Sequence, residues 1–310
     1  YPPQPQAIPI VVFNPLNWKR SEIVQVPLPP QGSWDVCEST GNALNSQLVR
    51  VSGRSELLFL ATDVPSVGYR CFWLVPKSPE TPINQGFEPE NDLICAHLFR
   101  LYYTISGSRL DVNTNRKNSE NWEFENQYLR VKVSGETGDL IEVFDKVNSR
   151  EVLKYPGHQW RLFQDQGQYW DAWNIDPNYH KYPLDSPQLE SIEFVEKGML
   201  RGRLRVLKTF NKSRFCQDYI LSIGSPILRV ECRVEWVESN VLMKAYFPLS
   251  INADLLSYEI PCGVMERPTE PQTTFDKSKW EVPALNWGSL SDGNYGVSVL
   301  NDCKYGYDFK

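Results

Sequence analysis

Histidine is scarce in this chain: three in 310 residues, at positions 97, 158 and 180. No two stand at a helical i, i+4 spacing, and none belongs to an HExxH or HxD cluster, so the chain offers no metal centre built from its own histidines. His97 lies in an apolar run, LICAHLFRLYY, and reads as a core or edge residue, whereas His180 is the one histidine placed where a ligand could meet it. No CxxC pair occurs, and the cysteines, seven in number, are widely spaced (37, 71, 95, 216, 232, 262 and 303). That pattern is neither a disulfide framework nor a zinc cluster, and it favours a reducing compartment. Cys71 and Cys232 fall in strand-like runs, where cysteine is expected as a small buried hydrophobe. There is no apolar run of membrane-spanning length and no signal-peptide pattern at the start. GxSxG, Gly-rich phosphate loops and Cys–His pairs are also lacking. Basic blocks interleaved with aromatics are missing as well, and the formal net charge is −6, which argues against nucleic acid or an anionic membrane as the main partner.

No segment sustains a 3.6-residue apolar period. Period-two alternation is present instead, and it predicts an all-β chain. Strand candidates in the first part are IPIVVF (8–13), SEIVQVPL (21–28), QLVRVS (47–52), ELLFLA (56–61) and GYRCFWLV (68–75), separated by Pro, Gly, Ser and Asn clusters. This suits a small β-sandwich over 1–75. PKSPETPINQGFEPEN (76–91) carries four prolines and a glycine, so a linker is placed at 76–90. A second loop-like stretch, 111–121, holds Asn113, Asn115, Asn118 and Asn121.

From 91 to 310 a large antiparallel domain is expected. YLRVKV (128–133), the turn SGETGD (134–139) and LIEVFD (140–145) form a hairpin. RGRLRVLKTF (201–210) puts Arg201, Arg203 and Arg205 on one face, and ILRVECRVEW (227–236) alternates Arg and Glu in the same way. The arginine row could serve an anion site, but cross-strand Arg–Glu pairing on a solvated sheet face is the simpler reading. The chain opens without Met and stops on NDCKYGYDFK, directly after a strand. It therefore reads as a piece of something longer, truncated at its C-terminal end too.

Two stretches carry the functional signal. Gly167 to Tyr179, GQYWDAWNIDPNY, packs Tyr169, Trp170 and Trp173 around Asp171 and adds Asn174, Asp176 and Asn178. Flat aromatics cover the apolar face of a sugar ring while an acid and amides take its hydroxyls. The plainer use is a loop whose tryptophans plug the end of a β-core. Glycoside hydrolysis needs two carboxyl groups about 5–9.5 Å apart. Asp165, Asp171 and Asp176 are close only in sequence, which does not make such a pair. The second stretch, 258–290, opens with a strand, holds Glu266, Arg267, Asp276, Trp280 and Trp287, and reads either as a long loop that shapes a cleft or as a long inter-strand connection anchored by its tryptophans.

Particular segments give the chain a family likeness: VVFNPLNWKRSEIVQV (11–26), VPSVGY (64–69), ENQYLRVKV (125–133), LFQDQGQYWDAWNIDPNY (162–179), YEIPCGVMERPT (258–269), WEVPALNW (280–287) and VLNDCKYGYD (299–308). Through these segments it resembles the C-terminal β region of family 38 glycoside hydrolases, the α-mannosidases, of the cytosolic and vacuolar type. The resemblance implies a galactose mutarotase-like supersandwich for the large domain. It implies a retaining reaction on terminal α-linked mannose, carried out through a covalent intermediate by an N-terminal catalytic domain outside these residues. That domain would hold the acids and a divalent metal, zinc or possibly cobalt, so that no catalytic or metal-binding residue is expected in this chain. Substrate contact is carried over to Tyr169, Trp170, Asp171 and Trp173. The partners implied are a mannose-containing oligosaccharide and the chain's own catalytic domain, with a homo-oligomer possible and a cytoplasmic location. The alternatives are a stand-alone lectin-like binding module and, more weakly, a mutarotase-like epimerase, which would need a His and a Glu as base and acid.

Overall fold

A computed structural model describes residues 2–77, 110–112, 121–167 and 174–309. In the first part the strands are β1 (Ile8–Asn14), β2 (Arg20–Pro27), β3 (Trp34–Glu38), β4 (Ala43–Leu44), β5 (Ser46–Val51), β6 (Arg54–Val64) and β7 (Gly68–Pro76). Next come β8 (Asp111–Val112), β9 (Trp122–Glu125), β10 (Leu129–Val133), β11 (Leu140–Asp145), β12 (Arg150–Glu151) and β13 (Gln159–Gln164). The long strands β14 (Gln188–Lys197), β15 (Arg201–Phe210), β16 (Ser213–Ser222) and β17 (Arg229–Glu235) follow. The last are β18 (Val241–Tyr246), β19 (Leu255–Ile260), β20 (Gly263–Pro268), β21 (Val282–Pro283), β22 (Trp287–Ser291), β23 (Gly296–Leu300) and β24 (Gly306–Tyr307). Helix is confined, among the described residues, to one turn at Tyr179–Lys181 and one at Thr274–Lys277. The expected all-β class with antiparallel sheets is what the chain forms.

The chain divides into two units that interleave along the sequence. One comprises Tyr1–Val131, Leu189–Leu207 and Phe215–Val234; the other comprises Lys132–Gln188, Lys208–Arg214 and Glu235–Lys310. Most of the expected linker, 78–90, lies outside the described residues, as does His97.

In the first unit, sheets ordered β1-β7-β3-β4 and β2-β6-β5 share one core. Phe59, Leu57 and Ala61 of β6 meet Phe72, Leu74 and Val36 from the other sheet there. Strand β6 shows why ELLFLA is a continuous apolar run. Leu57 and Phe59 face that core, while Leu58, between them, faces a second cluster with Val49 and Leu200. A strand covered on both faces has no polar side to show. Asn14, at the end of β1, is buried and joins two turns. Its Nδ2 donates to the carbonyls of Trp18, Val64 and Pro65, and its Oδ1 accepts from the Leu16 amide.

The arginine row of β15 is spent mostly inside its own sheet, with Arg201 also donating to Gln25 of β2. Arg203 Nη1 donates to Asp218 at 2.9 Å and to Glu231 at 2.8 Å. Arg205 Nε and Nη2 both reach Asp218 at 2.8 Å, and Arg201 is held by Glu196. Burial alone would raise the Asp218 carboxyl, but Arg205 and Arg203 outweigh it and hold the group below the usual carboxylate range. One sequence expectation fails nearby. Cys232 is exposed and Cys71 only half-buried. Alternation on the sheet's last strand, β17, marks an apolar face without guaranteeing that anything covers it.

In the second unit, β20-β19-β22-β23 form one sheet, and β13 pairs with β18. The core here is Ile251, Leu256, Tyr258, Val282, Ala284 and Leu290. The lysine of β15 at position 208 is buried in this unit and ion-paired to Asp139 at 2.5 Å.

A candidate cleft beside the β19–β20 hairpin

The stretch 258–290 is not a structureless loop. Strands β19 and β20 form a tight hairpin in the register Ile260↔Gly263, Tyr258↔Met265 and Leu256↔Arg267. After Pro268 the chain turns through Thr273–Asp276, a reciprocal capping box. Thr273 accepts from the Asp276 amide at 3.1 Å, and Asp276 accepts from the Thr273 amide at 3.1 Å. This closes the wall of a cleft of about 490 Å³, lined by Pro177, His180, Tyr258, Arg267, Trp280 and Tyr307 among others. That volume suits a sugar-sized ligand.

Register decides what enters the cleft. Arg267 is opposite Leu256 and so shares the sheet face that carries Leu256 and Tyr258. Its guanidinium carbon stands 4.8 Å from the Tyr258 ring centroid. Burial pushes the Tyr258 phenol up to about 12, with Arg267 pulling in the opposite direction.

The exit of the aromatic loop is tied to this wall. Trp280 Nε1 donates to the Ile175 carbonyl at 3.1 Å. Tyr179 is buried with its ring edge-on to Phe163, and its hydroxyl donates to the Asp308 carboxylate. Lys244 pairs with Asp308 at 3.3 Å and Glu281 at 2.6 Å, with its ammonium 4.8 Å from the centroid of the Tyr179 ring. Burial, then the Asp308 bond, drive the Tyr179 phenol well above its ordinary range, so it stays protonated and can donate.

Two of the cleft's carboxylates are therefore committed, Asp276 to its helix cap and Asp308 to Tyr179 and Lys244. This arrangement suits binding rather than proton transfer. Among the described residues, no group of three or more His, Cys, Asp or Glu stands together to hold a metal ion. The metal that the family likeness implies is assigned by that likeness to a catalytic domain outside these residues.

Residues 124–310 match the glycosyl hydrolases family 38 C-terminal domain. The chain belongs to glycosyl hydrolase family 38. It is 30% identical to Alpha-mannosidase 2C1 of Homo sapiens over 303 residues, which is 96% of this chain and 24% of that protein. It is 32% identical to Alpha-mannosidase G of Dictyostelium discoideum over 192 residues, 59% of this chain and 17% of that one. Its fold resembles the crystal structure of an alpha-mannosidase from Enterococcus faecalis V583, with a TM-score of 0.69 at 13% identity, covering 98% of this chain and 38% of that one. The chain thus spans about a quarter of the length of the human relative, 24%.

The four residues expected to contact substrate, Tyr169, Trp170, Asp171 and Trp173, lie outside the described residues. The described flanks of their loop do reach the cleft, through Pro177 and His180. Asp165 and Asp176 serve turns, accepting from the amides of Gly167 and Asn178. Arg267, Asp276 and Trp280 line the cleft, as the reading of 258–290 anticipated, whereas Glu266 is exposed and Trp287 sits on β22. The sequence reading missed Tyr258, Tyr307 and Asp308 as cleft residues. Tyr258 opens the stretch 258–290, and Tyr307 and Asp308 lie in YGYD, a tyrosine-rich segment beside an acid.

Among the described residues, no helix is long and apolar enough to cross a membrane.

Proposed function

We propose that this chain is the C-terminal β region of a retaining α-mannosidase that removes terminal α-linked mannose from oligosaccharides. In this reading the chain is inactive alone, scaffolds an N-terminal catalytic domain and lends that domain's sugar site the loop Tyr169, Trp170, Asp171 and Trp173. The observation that carries it is the match of 124–310 to the family 38 C-terminal domain, supported by likeness to alpha-mannosidases along nearly the whole chain. The catalytic domain would bring the acids and the divalent metal, zinc or possibly cobalt. The finer architecture belongs to the same reading: a small sandwich over 1–75 and a galactose mutarotase-like supersandwich over 91–310. So do a cytoplasmic location and a possible homo-oligomer.

The test is made in the full-length enzyme. Trp170→Ala and Asp171→Asn are expected to lower kcat/KM on an α-mannoside about tenfold or more, the loss from one or two strong sugar contacts. Unchanged turnover and KM in both variants would remove the loop from the sugar site.

One observation favours a second reading, a stand-alone carbohydrate-binding module: the cleft brings the aromatic side chains of Tyr258, Trp280 and Tyr307 together with polar groups. Titrating the chain with α-linked mannobiose while following tryptophan fluorescence separates the two. A saturable change lost in Trp170→Ala favours the module, and no change favours a site completed by the catalytic domain.

A further inference from the structure

Strand β1 stands at the end of the order β1-β7-β3-β4, so among the described residues it has a strand partner on one side only. The register tells which of its backbone groups face outward. The Lys77 amide donates to the Ser33 carbonyl at 2.8 Å, which extends the β3–β7 pairing of Trp34 with Pro76. Antiparallel pairs alternate between hydrogen-bonded and non-bonded ones. Trp73 and Val75 therefore turn their backbone groups toward β3, and Arg70, Phe72 and Leu74 turn theirs toward β1. Their partners Val12, Ile10 and Ile8 close that ladder, so Pro9, Val11 and Phe13 point their backbone groups away from β7. Pro9 agrees, since a proline inside a strand is placed with its nitrogen off the ladder.

The same residues carry exposed side chains. Val11 and Phe13 are 45% and 71% exposed, while Ile10 and Val12 pack on the core. Across on β7, Tyr69 lies beside Phe13 with ring centroids 5.7 Å apart and is itself 59% exposed. Natural sheets blunt their edges with charge, bulges or brevity. The edge strand β2 carries Arg20 and Glu22 with a register shift between them, and β4 is two residues long. Strand β1 has seven residues, and no charged residue occurs in the chain before Lys19. Two copies of this acidic chain can therefore meet at β1 without bringing like charges together.

The edge also matches itself. A two-fold axis through Val12 sets Val11 of one copy opposite Phe13 of the other, and each outward N–H and C=O of these two residues meets a counterpart. Beyond them Pro9 faces Pro15, so no donor is stranded at either end. An axis through Val11 would instead set the Phe13 carbonyl against the nitrogen of Pro9, which has no hydrogen. In the Val12 register the second copy's Val11 lies on the side of Phe13 away from Tyr69, a cross-strand apolar pair.

We propose that β1 is a self-association edge that pairs antiparallel with β1 of a second copy about Val12, joining two sheets into one. This gives a surface to the homo-oligomer of the preceding reading and rests on that part of it alone. Mass rather than turnover tests it, so its failure would leave the mannosidase reading standing.

A pairing this short falls well below the roughly 20–30 residues a side of a standard interface, so a weak dimer is expected, with a Kd of about 10–100 μM. Sedimentation equilibrium of the chain from about 1 to about 300 μM brackets that range. Val11→Pro removes an outward N–H and leaves the β7 ladder intact, as Pro9 does, and is expected to weaken the dimer about tenfold or more. Its urea unfolding at low concentration should stay near that of the parent. Phe13→Lys charges the edge through an exposed side chain and should weaken the dimer likewise. A chain that stays monomeric throughout would overturn the proposal, as would a dimer indifferent to both substitutions. A dimer of this chain that is absent from the full-length protein would overturn it too, because the rest of the polypeptide would then be the occupant of the edge. Should Val11→Pro fail to fold, Phe13→Lys decides: an unchanged Kd would overturn the proposal.

Discussion

The phenol of Tyr179 donates a hydrogen bond to the carboxylate of Asp308, 129 positions further along the chain. This bond fixes the turn after the aromatic loop to the segment that follows the last strand, and both line up on the same cleft through His180 and Tyr307. Its worth can be measured. Tyr179→Phe is expected to destabilise the fold by about 1.5 kcal/mol, since it strips a donor from a carboxylate held away from water. A double-mutant cycle with Asp308→Asn should give a coupling of about 1 kcal/mol in urea unfolding. Additive losses would mean that the two groups are neighbours without being partners.

Gly198 and Gln47 form a second long-range pair. Gln47 is buried, accepts from the Leu200 and Arg201 amides, and donates to the Arg201 carbonyl. A Cβ on residue 198 would stand 1.9 Å from Gln47 Cδ, and these three bonds keep the amide from moving aside. Gly198→Ala is therefore expected to cost about 3 kcal/mol, at the upper end for overpacking. In a Gln47→Ala background the same change should cost less than about 1 kcal/mol, because the obstructing group is gone. Chemical denaturation of the four proteins checks both figures.

Asp218 collects Arg203 and Arg205, and its carboxyl lies below the usual range despite burial. A carboxylate depressed in the folded state adds stability above its unfolded pKa of about 3.9 and loses it as pH falls through the folded value. Asp218→Asn should cost about 3 kcal/mol at neutral pH, as expected for a half-removed buried pair. The variant should lose less further stability than the parent on acidification below about pH 4. Parallel acid unfolding curves would contradict this.

His158 titrates in the opposite sense. It is buried, stacks on Phe247 with centroids 5.3 Å apart, and sits 5.2 Å from the Trp160 ring. Burial first, then the charge of Lys208, hold it down to about 3. Between that value and the ordinary 6.5 the unfolded chain binds a proton that the folded chain refuses, so stability falls as pH is lowered through this window. The slope contributed approaches ~1.4 kcal/mol per pH unit. His158→Asn keeps a residue that tolerates the positive φ of 51° and should flatten the curve between pH 6 and about 4.5. An unchanged slope would show that the imidazole is protonated in the fold.

The alternation of residues made the long strands readable, because one face of each meets a core and a period of two records it. The limits of that signal are equally physical. WDVCE, strand β3, has acids at both flanks and too few residues to show a period, so it escaped notice. Cys232 alternates correctly and is still exposed, because pattern reports a face and not what lies against it. At the cleft, the sequence pointed to His180, Trp280 and Arg267. It could not reveal that Arg267 turns onto the Tyr258 face, since that follows from which residue of β19 stands opposite it. The arginines at 201, 203 and 205 were legible as a paired row, but the acid that collects Arg203 and Arg205 is Asp218 of β16, and of the alternating glutamates of 227–236 it is Glu231 that joins Arg203.

The interleaving of the two units sets an order on their assembly during synthesis. The first unit needs residues up to Val234, yet the ribosome delivers 132–188 of the second before then. Those residues emerge with neither unit finished. At ~5–20 residues per second, Tyr179 waits on the order of ten seconds for Asp308. A nascent chain halted before Val234 exposes unfinished sheets from both units, whereas one halted later leaves only the second unit open. The cleft, whose walls include residues 307–309, can close only after the first unit's residues have all emerged.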